Sequence, residues 1–455
     1  MNQETATTTT TTTPLSQLPT TKKLTRHEKG SKKPHQKSFN PLQIGIQDFV
    51  TNNIPPETLS QYGLSPETLQ TSLPKRFTVY EPMLLLPVNA FSSPSAWGAL
   101  YQSLTAPQQQ ALYASLVKAF SRMGVTHVAI NAPIALTDTQ GHENRMRSPA
   151  GLVPLYGDFG PPAGASTDSS SSSSAGEECQ PSDEDLERAF WVRTMQNHGI
   201  VQVWAPLYTM FSRGNVTEKA RVLGHGPAPF EGLEVGELGG QTLSDVGIVD
   251  MYAGIGYFVF SYLKRGVKRV WGWEINGWSV EGLRRGCEEN GWGCRVVRVR
   301  EDGGLSESLL DLVGSLKDTD RVVLFHGDNR FAADILREIR GVMEGKGKEK
   351  WNRIRHVNLG LLPTSVDAWG NACRMIDAEL GGWVHMHENV DVREIEQKKG
   401  DFTLEIGRLR AEALGMQDPA VALAECRHVE QVKTYAPGVM HCVYDMKLLA
   451  CSELQ

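Results

Sequence analysis

The sequence predicts an α/β protein built on a doubly wound, mainly parallel sheet that closes with an antiparallel hairpin. Three observations carry this prediction. Beyond about residue 186, single apolar strands alternate with helical stretches. The strand Val246–Asp250 ends in an acid and runs into a Gly-x-Gly turn, Gly254-Ile255-Gly256, ahead of a helix. The last two apolar stretches, Val429–Thr434 and Val439–Met446, are joined only by Tyr435-Ala436-Pro437-Gly438. Single strands separated by helices imply parallel pairing through crossovers, whereas a short turn-rich connection implies a hairpin.

Composition bounds the rest. A chain of 455 residues suggests two or three domains, and 40% hydrophobic residues are enough for a sizeable core. Lysine plus arginine number 46 and aspartate plus glutamate 52, a formal net charge of −6, so any nucleic-acid surface must be a local patch. Seven cysteines, none spaced as CxxC, fit neither a disulfide scaffold nor a zinc ribbon and point to a reducing, cytoplasmic compartment. No apolar run reaches the roughly 18 residues needed to span a bilayer, and the N-terminus has no apolar segment behind its charges. Membrane and secreted classes are set aside, and nothing calls for an obligate protein partner.

In chain order, residues 1–40 carry a threonine tract and then seven Lys/Arg between Lys22 and Lys37 against one acid, Glu28. That composition predicts a disordered arm, either a solvated tail or a loose contact for phosphates. Residues 41–160 form a smaller α+β domain, with apolar runs at Met83–Leu86 and Val128–Ile130. Between these runs lies a helix from Pro107 to Met123, whose Leu112, Leu116, Ala119, Phe120 and Met123 share a face. Residues 161–185, rich in serine, proline and acids, read as a flexible insertion. Residues 186–455 hold the sheet, entered through a segment 186–240 with a strand at Ile200–Trp204. In that segment Asn215 and Glu218 have the spacing of a helix cap and its back-reaching partner. Further strands are Arg269–Glu274, Val322–His326, Arg355–Leu361 and Trp383–Glu388, with Arg295–Val299 competing for the third place. Helices fall at Gly256–Arg265, Trp278–Asn290, Phe331–Met343, Val366–Leu380 and Phe402–Leu414, and residues 301–320 read as a loop insertion.

The chemistry concentrates at the first sheet strand. A glycine turn behind an acid lets backbone approach a ligand, so Asp250, Gly254 and Gly256 should hold a nucleoside. Val259 occupies the third-glycine position of the dinucleotide fingerprint, and no Gly-Lys-Ser/Thr follows to grip a triphosphate, so those two classes recede. Glu274, 24 residues after Asp250, ends the next strand, where a carboxylate can accept both ribose hydroxyls. His326-Gly327-Asp328-Asn329 ends the third, and Asp328 and Asn329 have the residue types of a turn or helix cap ahead of Phe331. His385, His387 and Glu388 resemble metal ligands, but strand alternation puts the two histidines on one face and the glutamate on the other, so no metal is expected. Trp271, Trp273, Trp278 and Trp292 read as core or seam residues rather than base-stacking platforms, and Cys287 and Cys294 as packing residues.

The acid, Gly-x-Gly and second- and third-strand acids together resemble the class I S-adenosylmethionine-dependent transferases. Two further blocks narrow the resemblance: Met210-Phe211-Ser212-Arg213-Gly214-Asn215-Val216-Thr217-Glu218-Lys219 and Asn358-Leu359-Gly360-Leu361-Leu362-Pro363. With Glu274-Ile275-Asn276, His385–Asn389 and Val432–Pro437, they are similar to the tRNA wybutosine-synthesizing protein 2 family over roughly residues 190–447. The resemblance implies a class I methyltransferase-like, Rossmann-like sheet. It also implies an aminocarboxypropyl transferase that moves the 3-amino-3-carboxypropyl group of S-adenosylmethionine to carbon 7 of 4-demethylwyosine in phenylalanine tRNA, releasing 5′-methylthioadenosine. By family match Ser212 and Lys219 contact the cofactor from the segment before the sheet, Asp250, Gly254 and Glu274 hold the nucleoside, and Asp328 and Asn329 face the adenine. Asn358 and Pro363 lie where the base would sit, Asn358 as a substrate contact or as a loop-satisfying residue. The match assigns no catalytic residue and no metal.

A sulfonium has three electrophilic carbons, and attack on any of them expels a neutral thioether, so positioning selects the product. The nearest rival is a tRNA guanine-N1 methyltransferase of the sister family, whose corresponding loop is a shorter Asn-Leu-Pro; here three residues separate Leu359 from Pro363. A non-catalytic tRNA-binding protein on an inherited sheet is the third reading. It has no need to keep Asp250, Gly254, Glu274 and Asp328 together in order.

Overall fold

The computed structural model describes residues 40–131, 152–160, 180–209, 211, 214–346, 351–416 and 423–450. The arm up to residue 39, the stretch 161–179 and the candidate Ser212 lie outside the described residues. The chain from Asn40 onward is one compact unit.

Its first part opens with the helix Pro41–Asn53. Asn40 caps that helix by accepting from the Leu42 and Gln43 amides at 3.0 and 3.4 Å, and proline takes the first helical position, where no N–H is needed. Strands β1 (Thr78–Tyr80), β2 (Met83–Leu86), β3 (His127–Ile130) and β4 (Val153–Tyr156) form a four-stranded sheet in that order. The helix Ala106–Ala119 buries Leu112 and Leu116 against it, with Phe120 just beyond. The expected stripe stops there. The chain tightens into a short 3₁₀ turn ending at Gly124, whose φ is +68°, and Met123 is turned outward. Strands β5 (Val192–Met195) and β6 (Val201–Trp204) form a separate antiparallel pair.

The large sheet has eight strands: β7 (Val246–Asp250), β8 (Arg269–Glu274), β9 (Gly293–Arg298), β10 (Asp320–His326), β11 (Arg353–Leu359), β12 (Gly382–Asp391), β13 (Ala424–Ala436) and β14 (Val439–Leu448). Their order is β13-β14-β12-β11-β7-β8-β10-β9. Strands β7 to β12 pair in parallel, and β14 runs antiparallel to both β12 and β13. This is the doubly wound, class I methyltransferase-like sheet with its terminal hairpin. Both candidates for the third strand are strands: β10 lies beside β8, and β9 forms the edge. The segment 301–320 is not wholly loop, since it carries a helix, Leu309–Ser315, capped by Ser308.

Alternation divides the sheet between two cores. Val249, Trp271, Trp273, Phe325, Val357 and Met386 face one side, and Ile248, Val270 and Leu324 face the other with Phe260 and Leu283. The tryptophans of β8 are therefore packing residues, and Trp278 stacks on Tyr208 at 3.8 Å. Two helices depart from expectation. Val366–Leu380 shrinks to a 3₁₀ turn and the helix Trp369–Met375, because Asp377 turns the chain by accepting from the Glu379 and Leu380 amides, each at 3.0 Å. The last helix begins earlier, at Ile395, and runs to Ala413. No helix among the described residues is long and apolar enough to cross a membrane.

Candidate functional site

The strand order reverses between β7 and β11: from β7 the chain goes to β8 on one side and later returns to β11 on the other. Carboxyl ends of strands splay apart at such a switch point and open a crevice, the usual ligand position in these sheets. Asp250, the last residue of β7, is paired in register with Asn358 on β11 at this point.

The turn after β7 requires its glycines. Gly254 and Gly256 have φ of +54° and +89°, and a Cβ at Gly256 would lie 2.6 Å from the Phe260 ring. Glu274, at the end of β8, clamps this turn. One carboxylate oxygen accepts from the Gly254 amide and the other from the Asn276 amide, both at 2.8 Å. The acid expected at the ribose thus also holds the backbone that a nucleoside would approach.

Asp250 is fully buried. Its Oδ1 accepts from the Tyr252 amide and from Asn358 Nδ2, both at 3.2 Å, while Oδ2 has no hydrogen-bond partner among the described residues. Burial raises its carboxyl to about 7, and the Asn358 and Tyr252 bonds oppose that rise only in part. The sign for stability follows. The folded chain keeps a proton that an unfolded chain, titrating near 3.8, gives up, so stability falls as pH rises from about 4 to about 7 and the full cost is present above. Asp250→Asn should remove this slope. Melting temperatures measured without cofactor at about pH 4 and about pH 8 should then show the variant gaining on the wild type at the higher pH; an equal difference at both would overturn the assignment.

Third-strand residues make local contacts. Asp328 caps the following 3₁₀ turn by accepting from the Arg330 amide at 2.9 Å, and Asn329 Nδ2 donates to the Met251 carbonyl at 2.7 Å, tying the β10 loop to the glycine turn. The cap reading of Asp328 is realised, and both residues stand at the rim of the crevice. Pro363 is exposed in the loop after β11, and its carbonyl accepts from the Asn389 amide at 2.8 Å. Glu388, on the opposite face of β12, holds that loop by accepting from Ser365 N and Oγ, each at 2.8 Å.

One expectation fails in the segment leading to the helix Val216–Val222. Asn215 makes no side-chain cap, and Glu218 does not reach back. Glu218 turns inward because Arg221 is buried beside it: Arg221 binds Glu218 at 2.7 Å and Asp445 of β14 at 2.6 Å. The network continues from Asp445 to His385 Nδ1 at 2.6 Å, from His385 to His356 at 2.9 Å, and from His356 to the Gly232 carbonyl at 3.0 Å. Lys219 and Arg221 are therefore not a solvated face; their exposures are 7% and 1%. Among the described residues the Lys219 ammonium has no hydrogen-bond partner, and it stands 4.9 Å from the centre of the Tyr257 ring, in the glycine turn. Burial, helped by the charge of Lys433, lowers it to about 8.

His387 and His441 pair at 3.1 Å on the sheet face that carries His385 and Asn358, leaving His387 Nε2, His441 Nδ1 and both side-chain polar atoms of Asn389 without partners among the described residues. Burial pushes both imidazoles down, His441 to about 4, so they are neutral near pH 7. Among the described residues no group of three or more His, Cys, Asp or Glu could hold a metal ion. Sequence reasoning passed over Lys433, Asn389 and His441. The signal available for them was alternation along β12 and the hairpin, which places them on the Asn358 face.

No family model matches the chain. It is 37% identical over 380 residues to tRNA wybutosine-synthesizing protein 2 of Schizosaccharomyces pombe, spanning 83% of this chain and 73% of that one. The protein of the same description in Saccharomyces cerevisiae is 28% identical over 449 residues, spanning 93% and 84%. Among solved structures, TYW2 of P. horikoshii in complex with MeSAdo is 17% identical, with 90% and 99% covered and a TM-score of 0.49. On the identity and coverage of the S. pombe relative, the chain belongs to the tRNA wybutosine-synthesizing protein 2 family.

Proposed function

We propose that this protein transfers the 3-amino-3-carboxypropyl group of S-adenosylmethionine to carbon 7 of 4-demethylwyosine beside the anticodon of phenylalanine tRNA, in the cytoplasm, with 5′-methylthioadenosine as the second product. The observation that carries the reading is the site at the switch point of a chain in this family: an acid-closed glycine turn next to a buried lysine with no hydrogen-bond partner among the described residues. The residues fit an S-adenosyl nucleoside carrying an amino acid. Glu274 supplies a carboxylate for the ribose, Asp328 and Asn329 stand at the adenine side, and Gly254 lets the backbone come close. Lys219, a buried cation without a counter-ion among the described residues, suits the amino-acid carboxylate, and Ser212 is assigned to the same end by family match.

The bound donor supplies an alkyl group activated by a sulfonium, so the protein's task is alignment. Asn358, held by Asp250 at the crevice floor, offers a polar contact to the base, and Pro363 narrows the loop beside it. Burial pushes the Asp250 carboxyl up and favours its neutral form, which limits negative charge beneath a cationic donor. Such charge would stabilise the ground state more than the transition state, in which the sulfonium charge disappears.

Product analysis tests the reading. Purified protein, S-adenosylmethionine and tRNA carrying the tricyclic precursor should yield 5′-methylthioadenosine and a mass gain on the tRNA equal to the aminocarboxypropyl group. S-adenosylhomocysteine with a methyl gain would overturn it in favour of the guanine-N1 methyltransferase reading.

A further inference from the structure

Two lysines that are far apart in sequence are brought to one segment, that of the helix Val216–Val222 and the backbone leading into it, and no carboxylate forms an ion pair with either among the described residues. Lys219 is one of them. Lys433, on β13, is half-buried and stands opposite His441 of β14 in the hairpin register. It lies against the backbone that leads into the Lys219 helix: a Cβ placed on Gly214 would fall 2.1 Å from the Lys433 ammonium. Gly214 is thus where the hairpin lysine can reach the cofactor segment. Burial lowers both ammonium groups and the Lys433 charge lowers Lys219 further, while His387 and His441 are neutral near pH 7 and Arg221 is paired with Glu218 and Asp445.

Like charges brought together out of water are costly and are relieved by an anion between them. The anion that fits is a carboxylate on a small molecule. The Lys219 ammonium stands 4.9 and 6.0 Å from the centres of the Tyr257 and Phe211 rings, and the residue, 7% exposed, lines a small cavity with Ile200, Gln202, Val216 and Leu223, so a small anion suits it better than the phosphate of a polynucleotide.

We propose that Lys433 and Lys219 together grip the α-carboxylate of the donor, making Lys433 a specificity-determining residue that selects a carboxylate-bearing sulfonium. This rests on the cofactor reading above and adds a contact from the terminal hairpin. Holding the nucleoside at Glu274 and the carboxylate at the hairpin fixes both ends of the aminocarboxypropyl arm, the condition for presenting one of its carbons, rather than the methyl, to the base.

The test is calorimetric titration of the full chain with S-adenosylmethionine, decarboxylated S-adenosylmethionine and 5′-methylthioadenosine. Wild type should prefer the first over the second by about tenfold or more. Lys433→Met should lose about tenfold in affinity for S-adenosylmethionine alone, its unchanged binding of the other two proving that it is folded, and Lys433→Arg should restore part of the loss. Gly214→Ala, which displaces the ammonium without removing it, should weaken S-adenosylmethionine selectively and to a smaller extent. Equal losses for all three ligands, or unchanged S-adenosylmethionine affinity in Lys433→Met, would overturn the grip. Failure of the wild type to bind any of the three would overturn the cofactor reading, and the grip with it.

Discussion

Glu274→Ala is expected to weaken S-adenosylmethionine binding by about tenfold to a hundredfold, the worth of a charge-assisted hydrogen bond of roughly 1.5–3 kcal/mol. The structure gives the carboxylate two tasks. It is placed to meet the ribose, and it already accepts from the Gly254 and Asn276 amides at 2.8 Å. Alanine removes both, leaving a turn whose glycines hold φ of +54° and +89° without its clamp. Glu274→Gln separates the tasks. The amide keeps one acceptor for the backbone but presents N–H where the other amide donates, so an intermediate affinity is expected. Titration calorimetry with a thermal melt checks both variants; unchanged affinity in a folded Glu274→Ala protein would move the ribose contact elsewhere.

What was legible follows from how local the determinants are. Val246–Asp250 and Arg269–Glu274 read identically in sequence and structure because each is a buried apolar run closed by an acid, with short-range turn chemistry behind it. The edge strand β9 was ambiguous because its mostly half-buried residues alternate with Arg295 and Arg298, so no continuous apolar run marks it. Asn215 and Glu218 show the opposite error. Residue type and spacing favour a cap, but the winning interaction is a buried arginine whose second partner, Asp445, lies 224 residues further on. A comparable separation hides Lys433 from Lys219, and only the hairpin register and the bare backbone of Gly214 bring Lys433 to the segment that leads into the Lys219 helix. The glycine turn could thus be found from sequence, while the charge arrangement around it needed the fold.

Arg221→Met is expected to be the most destabilising single change considered, by about 3–5 kcal/mol, since it leaves Glu218 and Asp445 as buried carboxylates without their shared cation. Burial alone would raise the Asp445 carboxyl, but His385 and Arg221 outweigh it and hold Asp445 below the ordinary carboxylate range. Its contribution is therefore present above the unfolded value near 3.8 and is lost as pH falls toward the lowered folded one. For Glu218, burial prevails over Arg221 and, with the Asp445 charge, pushes the carboxyl up, so this residue opposes part of that gain. The triad's net value is consequently small compared with the cost of breaking it. Chemical denaturation can show this directly: Arg221→Met should lose most of the stability margin, whereas a triple variant with Glu218→Leu, Arg221→Met and Asp445→Leu should recover much of the loss. If the triple variant is as unstable as the sum of its parts, the three groups do not act as a unit. If it is stable but binds S-adenosylmethionine poorly, the triad's value lies in holding the helix Val216–Val222, and with it Lys219, against the hairpin.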